Sequence, residues 1–285
     1  MVAPKITGFF DEETSTVSYL VADPATRHAA IIDPVLDYDP ASSRVSVASV
    51  DRILMAADAD GLAIDWVLET HAHADHLSGA AVIRERTGAR VAIGEHIGQV
   101  QAIFADIFNL NDISKAGTEF DRLLADGETI QIGELTVRVM HTPGHTPACV
   151  SYLVGDAVFV GDTLFMPDYG TARADFPGGS ATALFRSITR LLALPAETRV
   201  FLCHDYRPPG RDRTEFATTI AAERQNVQLA GLSEAEFVAA RDARDRELPA
   251  PRLLLPSIQV NIRAGRFPKA ESNGVSYLKI PLRRR

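Results

Sequence analysis

Residues 70–76 read Thr70-His71-Ala72-His73-Ala74-Asp75-His76, three imidazoles and a carboxylate within one turn of chain. Neutral imidazole is the commonest protein ligand for metals, and a carboxylate beside it adds charge and a hard oxygen donor. A single loop histidine is ordinarily a polar surface residue. Crowding three with an aspartate would cost desolvation and gain little packing without a cation to share. The cluster is internal and interleaved, unlike a terminal tag, so it reads as a metal site. Further donors follow at wide intervals: His145 beside Gly144, Asp162 in Gly161-Asp162-Thr163, and His204 in His204-Asp205-Tyr206.

The segments before these donors are what must position them. Ile64 to Leu68 reads as a short buried strand ending at the cluster. The runs Thr129 to Ile132 and Leu135 to Met140 flank Gly133-Glu134, and Cys149 to Val154 and Ala157 to Val160 flank Gly155-Asp156. Each pair predicts a hairpin. Arg199 to Cys203 predicts a strand running into His204. His71–His76, His145, Asp162 and His204 therefore each follow a predicted strand, and sites in layered α/β folds form where strand ends converge. Seven donors of this kind suit either two metals about 3.5–4 Å apart or one metal with the remainder behind it. Gly144 and Gly161 suit tight turns with close backbone approach.

Elsewhere, Val17 to Val21 and His28 to Ile32 read as strands around the turn Asp23-Pro24-Ala25-Thr26, and Asp33-Pro34 ends the second. Val45 to Ala59 predicts a helix with Val50, Ile53, Leu54 and Ala57 on one face, stopped by Gly61. Gly79 to Arg86 reads as a helix and Val91 to Ile93 as a strand, an alternation that points to an α/β architecture. Phe104 to Glu128 reads as a long connection with little regular structure. Ser180 is placed to cap a helix with Leu184, Ile188, Leu191 and Leu192 on its face. Thr214 to Leu229 reads as helical. Ser233-Glu234-Ala235-Glu236 is a capping box, and an extended, Pro- and Gly-punctuated tail is expected after Leu248-Pro249-Ala250-Pro251. That tail needs its Leu253-Leu254-Leu255 and Ile258 buried on the main domain.

The chain has 285 residues, 46% of them hydrophobic, and a net charge of −8. An acidic chain is poorly suited to binding nucleic acid through phosphates. Arg283-Arg284-Arg285, the one basic run, reads as a solvated tail. Two cysteines, Cys149 and Cys203, cannot build a disulfide framework and fit a reducing compartment as buried small hydrophobes. No stretch approaches the roughly 20 apolar residues of a membrane span, and the first residues open no signal-peptide run. The expectation is a cytoplasmic protein without membrane or nucleic-acid partners, with C-terminal helices that offer a homodimer surface.

The run H-x-H-x-D-H, the downstream Gly144-His145-Thr146, Gly161-Asp162-Thr163 and the final His204 together resemble the metallo-β-lactamase superfamily. The resemblance covers roughly residues 6 to 210 and includes all seven ligand positions. It implies a four-layer αββα sandwich over 1–210, with the helices and tail of 211–285 packed on the same domain. Fold alone does not choose the reaction. Ala74 before Asp75, Leu77-Ser78-Gly79-Ala80 after His76, Arg173-Ala174-Asp175-Phe176 and His204-Asp205-Tyr206 are similar to the persulfide dioxygenases, with Cys203 in place of their alanine. The close of the chain, Leu255-Pro256-Ser257 through Asn261-Ile262-Arg263-Ala264-Gly265, is similar to a bacterial branch of that group.

That resemblance implies Fe(II) held by His71, His145 and Asp162, with His73, Asp75, His76 and His204 behind it fixing tautomers and handling protons. Asp75, His76 and Tyr206 are then the candidate catalytic residues. Arg173 and Tyr206 are the candidate substrate contacts, Arg173 either meeting a glutathione carboxylate or pairing with Asp168 or Asp175. The substrate implied is glutathione persulfide, oxidised by O₂ to sulfite and glutathione. The alternative, glyoxalase II-like, uses the same residues around two Zn²⁺: His71, His73 and His145 on one, Asp75, His76 and His204 on the other, Asp162 bridging, and a glutathione thiolester as substrate. His141 is expected to play a structural or supporting role, and His28 and His96 read as ordinary polar residues.

Overall fold

The computed structural model describes residues 3–282. In chain order it begins with β1 (Lys5–Asp11), β2 (Thr16–Ala22), β3 (His28–Ile32), β4 (Val35–Asp39) and β5 (Arg44–Ser46), then α1 (Ala48–Ala59). There follow β6 (Ala63–Leu68), β7 (Leu77–Ser78), α2 (Ala80–Thr87), β8 (Arg90–Gly94), α3 (Ile97–Phe108) and β9 (Arg122–Leu124). The second half holds β10 (Thr129–Ile132), β11 (Leu135–His141), β12 (Val150–Val154), β13 (Ala157–Phe159), α4 (Ala181–Leu192), β14 (Arg199–Phe201), β15 (Ala217–Thr219), α5 (Ile220–Glu223), α6 (Glu234–Asp245) and α7 (Leu254–Asn261).

Two six-stranded sheets run in the orders β1-β2-β3-β6-β8-β9 and β10-β11-β12-β13-β14-β15, with a small sheet β5-β4-β7 at one side. Strand alternation sorts the core into layers. On β3, Ala29 and Ile31 face α1, α2 and α3, where they meet Val50, Ile53, Ile83, Ile97, Val100 and Phe104. Ala30 and Ile32 face the other way and pack with Ile130, Val137, Tyr152 and Phe159 of the second sheet. The outer face of that sheet, with Val158 and Val200, is covered by Leu184, Ile188 and Leu191 of α4, Ile220 of α5 and Phe237 of α6. The result is the expected αββα sandwich.

Both expected hairpins form, with Ile132 opposite Leu135 and Val154 opposite Ala157. Ser180 caps α4 and Ser233 closes a capping box on α6. Four segments depart from expectation. Of the stretch expected to be irregular from Phe104 to Glu128, Phe104–Phe108 instead ends α3, whose apolar face Ile97, Val100, Phe104, Phe108 begins before that window, and Arg122–Leu124 forms β9, while 109–121 holds no helix or strand. Thr214 to Leu229 holds only the four-residue α5, because β-branched Thr218 and Thr219 pair with β14 first. The tail is not extended throughout: α7 forms over 254–261, since Pro256 sits in its first turn, where a missing N–H leaves no intrahelical bond unmade. The predicted helix at Val45 starts later, at Ala48, after β5.

The segment 217–245 holds the loop between Leu164 and Thr171 in place. Asn226 donates to the carbonyl of Gly170 and to Glu223, each at 3.0 Å, and Gln228 joins Tyr169, Thr171 and Arg241. Glu223 is fully buried, and burial pushes its carboxyl up to about 8 against the favourable Asn226 contact. In the unfolded chain it ionises near 4.5, so from about pH 4.5 to 8 the folded state keeps a proton the unfolded state has lost. Stability must fall across that window as pH rises. Glu223→Gln lacks this dependence. Its margin over the parent is expected to widen between pH 5 and pH 8 by on the order of 2–4 kcal/mol, read from urea midpoints. Parallel midpoints for the two proteins across that range would contradict it.

Candidate metal centre

All seven predicted donors lie at one edge of the sandwich, after the C-terminal ends of β6, β11, β13 and β14. The turn at His145 requires Gly144: its φ is +145°, and a Cβ there would come within 2.3 Å of Leu184 Cα on α4. Gly161, at φ +52°, lets the Asp162 turn lie against Thr70, which a Cβ would meet at 2.6 Å. Both glycines bring a donor in by permitting close packing of backbone behind it.

The hydrogen bonds assign a free nitrogen to each ring. Thr70 Oγ1 donates to Asp33 Oδ2 at 2.8 Å, so its lone pair accepts from His71 Nδ1 at 3.0 Å. His145 Nδ1 donates to the carbonyl of Arg173 at 2.9 Å, and His76 Nδ1 to that of Leu77 at 3.0 Å. His73 Nε2 donates to Asp33 Oδ1 at 3.0 Å, and His204 Nδ1 lies 3.2 Å from the carbonyl of Ser15. His71 Nε2, His73 Nδ1 and His76 Nε2 are left buried with no hydrogen bond, and His204 Nε2 and Asp162 Oδ1 are buried with only the 3.2 Å ionic approach to each other and to Asp75. Orphaned buried nitrogens are costly, and several converging on one place are what a cation would satisfy.

Donors of His71, His145 and Asp162 lie within 4.8 Å of one another, with both Nε2 atoms 3.8–3.9 Å from Asp162 Oδ2. His73, Asp75 and His76 form a second such group. His204 Nε2 lies 3.2 Å from Asp75 Oδ2 and 3.2 Å from Asp162 Oδ1, linking the two. Burial holds His71 well below an ordinary histidine and pushes His76 down to about 4, so both are neutral and ready to ligate. Burial also works against charge on His73 and His204, but Asp33 and Asp162 respectively outweigh it and hold both well above the usual range. Those rings bind protons in the cation-free protein that a metal would displace.

Asp33 and Glu69 were not among the expected site residues. Asp33 is buried in the left-handed backbone region at φ +48°, and accepts from Thr70 N, Thr70 Oγ1 and His73. Its only sequence signal is an acidic residue ending an apolar strand, which also reads as a plain strand terminator. Glu69 is buried between Ser78 Oγ, to which it is hydrogen-bonded, and His73 Nε2 at 3.4 Å.

A cleft of 470 Å³ adjoins the centre, lined by Asp75, His145, Asp162, Phe165, Tyr169 and Tyr206 among others. Tyr206, 38% exposed, stacks on His204 with centroids 5.2 Å apart and meets Phe165 edge-on at 5.4 Å. Arg173 reaches the cleft, but its guanidinium is paired bidentately with Asp175 at 2.6 and 2.8 Å and donates to the carbonyl of Pro249. Of its two expected roles the structure shows the ion pair with Asp175; Asp168 pairs with Arg211 instead. Arg241 is likewise held by Asp245, and Arg252 faces Glu13, leaving Arg244 as the unpaired arginine of the cleft among the described residues. Cys149 and Cys203 are buried, and burial pushes the Cys149 thiol up to about 12. His141 Nε2 donates to the carbonyl of Pro147 at 2.9 Å, a supporting contact for the His145 turn, and His28 pairs with Asp65 away from the centre.

Among the described residues no helix is long and apolar enough to cross a membrane. The chain is 52% identical to a probable metallo-hydrolase of Burkholderia pseudomallei over 97% of this chain and 98% of that protein. It is 48% identical to glyoxylase B2 of Dictyostelium discoideum over 98% and 97%. It is 27% identical to the mitochondrial persulfide dioxygenase ETHE1 of Bos taurus over 90% and 87%. It spans 65% of the length of the β-lactamase hydrolase-like protein of Xylella fastidiosa, at 49% identity. The solved structure of ETHE1 from Myxococcus xanthus superposes with a TM-score of 0.73 at 35% identity, covering 92% of this chain and all of that one. The metallo-beta-lactamase superfamily pattern matches residues 11–204, the span that carries all seven donors, and the chain belongs to that superfamily.

Proposed function

We propose that the protein is a metal-dependent dioxygenase that oxidises a small-molecule persulfide, glutathione persulfide in the first instance, with Fe(II) held by His71, His145 and Asp162. The observation that carries this reading is the face made by His71 Nε2, His145 Nε2 and Asp162 Oδ2 beside an aromatic-lined cleft. Two imidazoles and one carboxylate are the donor set suited to non-haem Fe(II) and O₂. The likeness to persulfide dioxygenase ETHE1 supports it. When bound, the iron supplies the oxygen chemistry. The overall reaction balances as one persulfide, one O₂ and one water giving the thiol, sulfite and two protons. As the S–S bond breaks the persulfide gives up four electrons in all, its outer sulfur leaving as sulfite and its inner sulfur as the thiol, and O₂ takes them.

The chain's own part is to bind, orient and manage protons. Phe165, Tyr169 and Tyr206 give the cleft an apolar wall that excludes water from the sulfur. His204 Nε2, between Asp75 and Asp162, is placed to hold a proton released in the reaction. Arg244 offers a free guanidinium to a substrate carboxylate. The neighbouring hollow of 660 Å³ carries four carboxylates, Asp11, Glu13, Asp37 and Asp39, against Arg44 and Arg252, so an anionic substrate is better met on the side of Arg244.

A second reading has its own observation. His76 Nε2, buried without a hydrogen bond, together with His204 Nε2, Asp162 Oδ1 and Asp75 could take a second cation, with Asp162 bridging. Two Zn²⁺ held so would suit hydrolysis of a glutathione thiolester, and the likeness to glyoxylase B2 lies on that side.

Two assays separate the readings: O₂ uptake on glutathione persulfide and cleavage of S-lactoylglutathione. O₂ uptake is expected from the parent, a loss of at least about 100-fold in Asp162→Ala, and partial activity in His76→Ala. Fast thiolester cleavage without O₂ uptake, lost equally in both variants, would sink the dioxygenase reading. For Arg244→Ala, KM for glutathione persulfide should rise about tenfold with kcat little changed, the loss of one charge-assisted contact. An unchanged KM would remove Arg244 from substrate binding.

A further inference from the structure

Asn261 ends α7, is 4% exposed, and spends its whole side-chain amide on the backbone of the histidine turn. Its Oδ1 accepts from Ser78 N at 2.8 Å, and its Nδ2 donates to the carbonyls of His73 and His76, each at 2.8 Å. The contacts therefore bracket His73, Asp75 and His76 from both ends, although Asn261 lies 188 residues beyond His73 in the chain. One acceptor and two donors on a planar group are what a carboxamide provides. A carboxylate would set an acceptor against two carbonyls, and an alanine would leave three buried backbone groups unpaired.

The segment after Asn261 is seated on the same turn. Ala264 and Gly265 adopt φ +55° and +78°, and Gly265 packs so closely that a Cβ would come within 2.9 Å of Ser78 O and Ala81 N. Gln101 donates to the carbonyl of Ile262 at 2.9 Å, tying this segment to α3. The Asn261 amide goes to the residues whose side chains point unpaired nitrogens inward.

We infer that Asn261 is a positioning residue of the metal centre: it holds the His73–His76 turn in its ligating shape before any cation arrives. The inference rests on the metal-binding reading of that turn, and not on which reaction the centre runs. Without the amide the turn's carbonyls must find water or rotate, and the donors converge less well.

The test titrates Co²⁺ into chelator-stripped full-length protein, comparing the parent with Asn261→Asp, Asn261→Ser and Gln259→Ala. Gln259 is a control on the same helix, buried, with its amide bonded to Lys279 of the tail and to Leu255 rather than to the turn. Both Asn261 variants should bind Co²⁺ about 10–100-fold more weakly with an altered visible spectrum, while Gln259→Ala keeps the parent affinity and spectrum even as its thermal midpoint falls. Asn261 variants with the parent's affinity and spectrum would overturn the inference. If neither is soluble, amide exchange in the parent decides. Metal binding and the clamp must strengthen each other, so Zn²⁺ should slow exchange at Ser78 more than at Lys279. Equal slowing at both would overturn it. A parent that takes up no Co²⁺ would overturn this inference and the metal-centre reading together.

Discussion

Each inward imidazole nitrogen at the centre is turned toward a cation because the other nitrogen of the same ring is spent on a protein acceptor. Asp33 is at the root of this arrangement. It takes Nε2–H of His73 directly and, by accepting the Thr70 hydroxyl, turns that oxygen into an acceptor for His71. One carboxylate thereby fixes the tautomers of two candidate ligands. The cost is a buried anion on left-handed backbone, which only a dense set of donors can sustain. Main-chain carbonyls of Arg173, Leu77 and Ser15 do the same for His145, His76 and His204. The geometry of the centre is therefore a property of the loops around it more than of the donors themselves.

The sandwich supplies those loops. β3 and β6 run parallel and adjacent, which places Asp33 beside the turn that leaves β6. β13 and β14 are also parallel neighbours, so Asp162 and His204 emerge together from the second sheet. The C-terminal segment completes the site from outside this frame. It anchors the aromatic loop through Asn226 and Gln228 and the histidine turn through Asn261. Its removal would leave the donors and their ring hydrogen bonds present but take these anchors from the aromatic loop and the histidine turn.

The donors were legible because a rare chemistry leaves a rare spacing, and the strands before them because apolar runs between turn residues are a local signal. The layers followed from alternation on strands such as β3. What stayed hidden is non-local. Asp33 acquires its role only through pairing with a loop 37 residues on. Arg173 carries two readings in the sequence, and the ion pair with Asp175 becomes visible only in the folded chain. α3 and α7 stayed hidden for local reasons, a window that opens mid-helix and a proline in a first turn. Asn261 sat in a recognisable string of residues whose purpose appears only when the tail folds back on the turn.

The most direct test is X-ray absorption at the metal edge on protein purified without added metal. A single Fe(II) with two imidazoles in a shell of light nitrogen and oxygen donors, and no metal–metal scattering, is the result predicted for a centre held by His71, His145 and Asp162. Zinc with a second metal at about 3.5–4 Å would contradict the single-iron account and place His76 and His204 among the ligands.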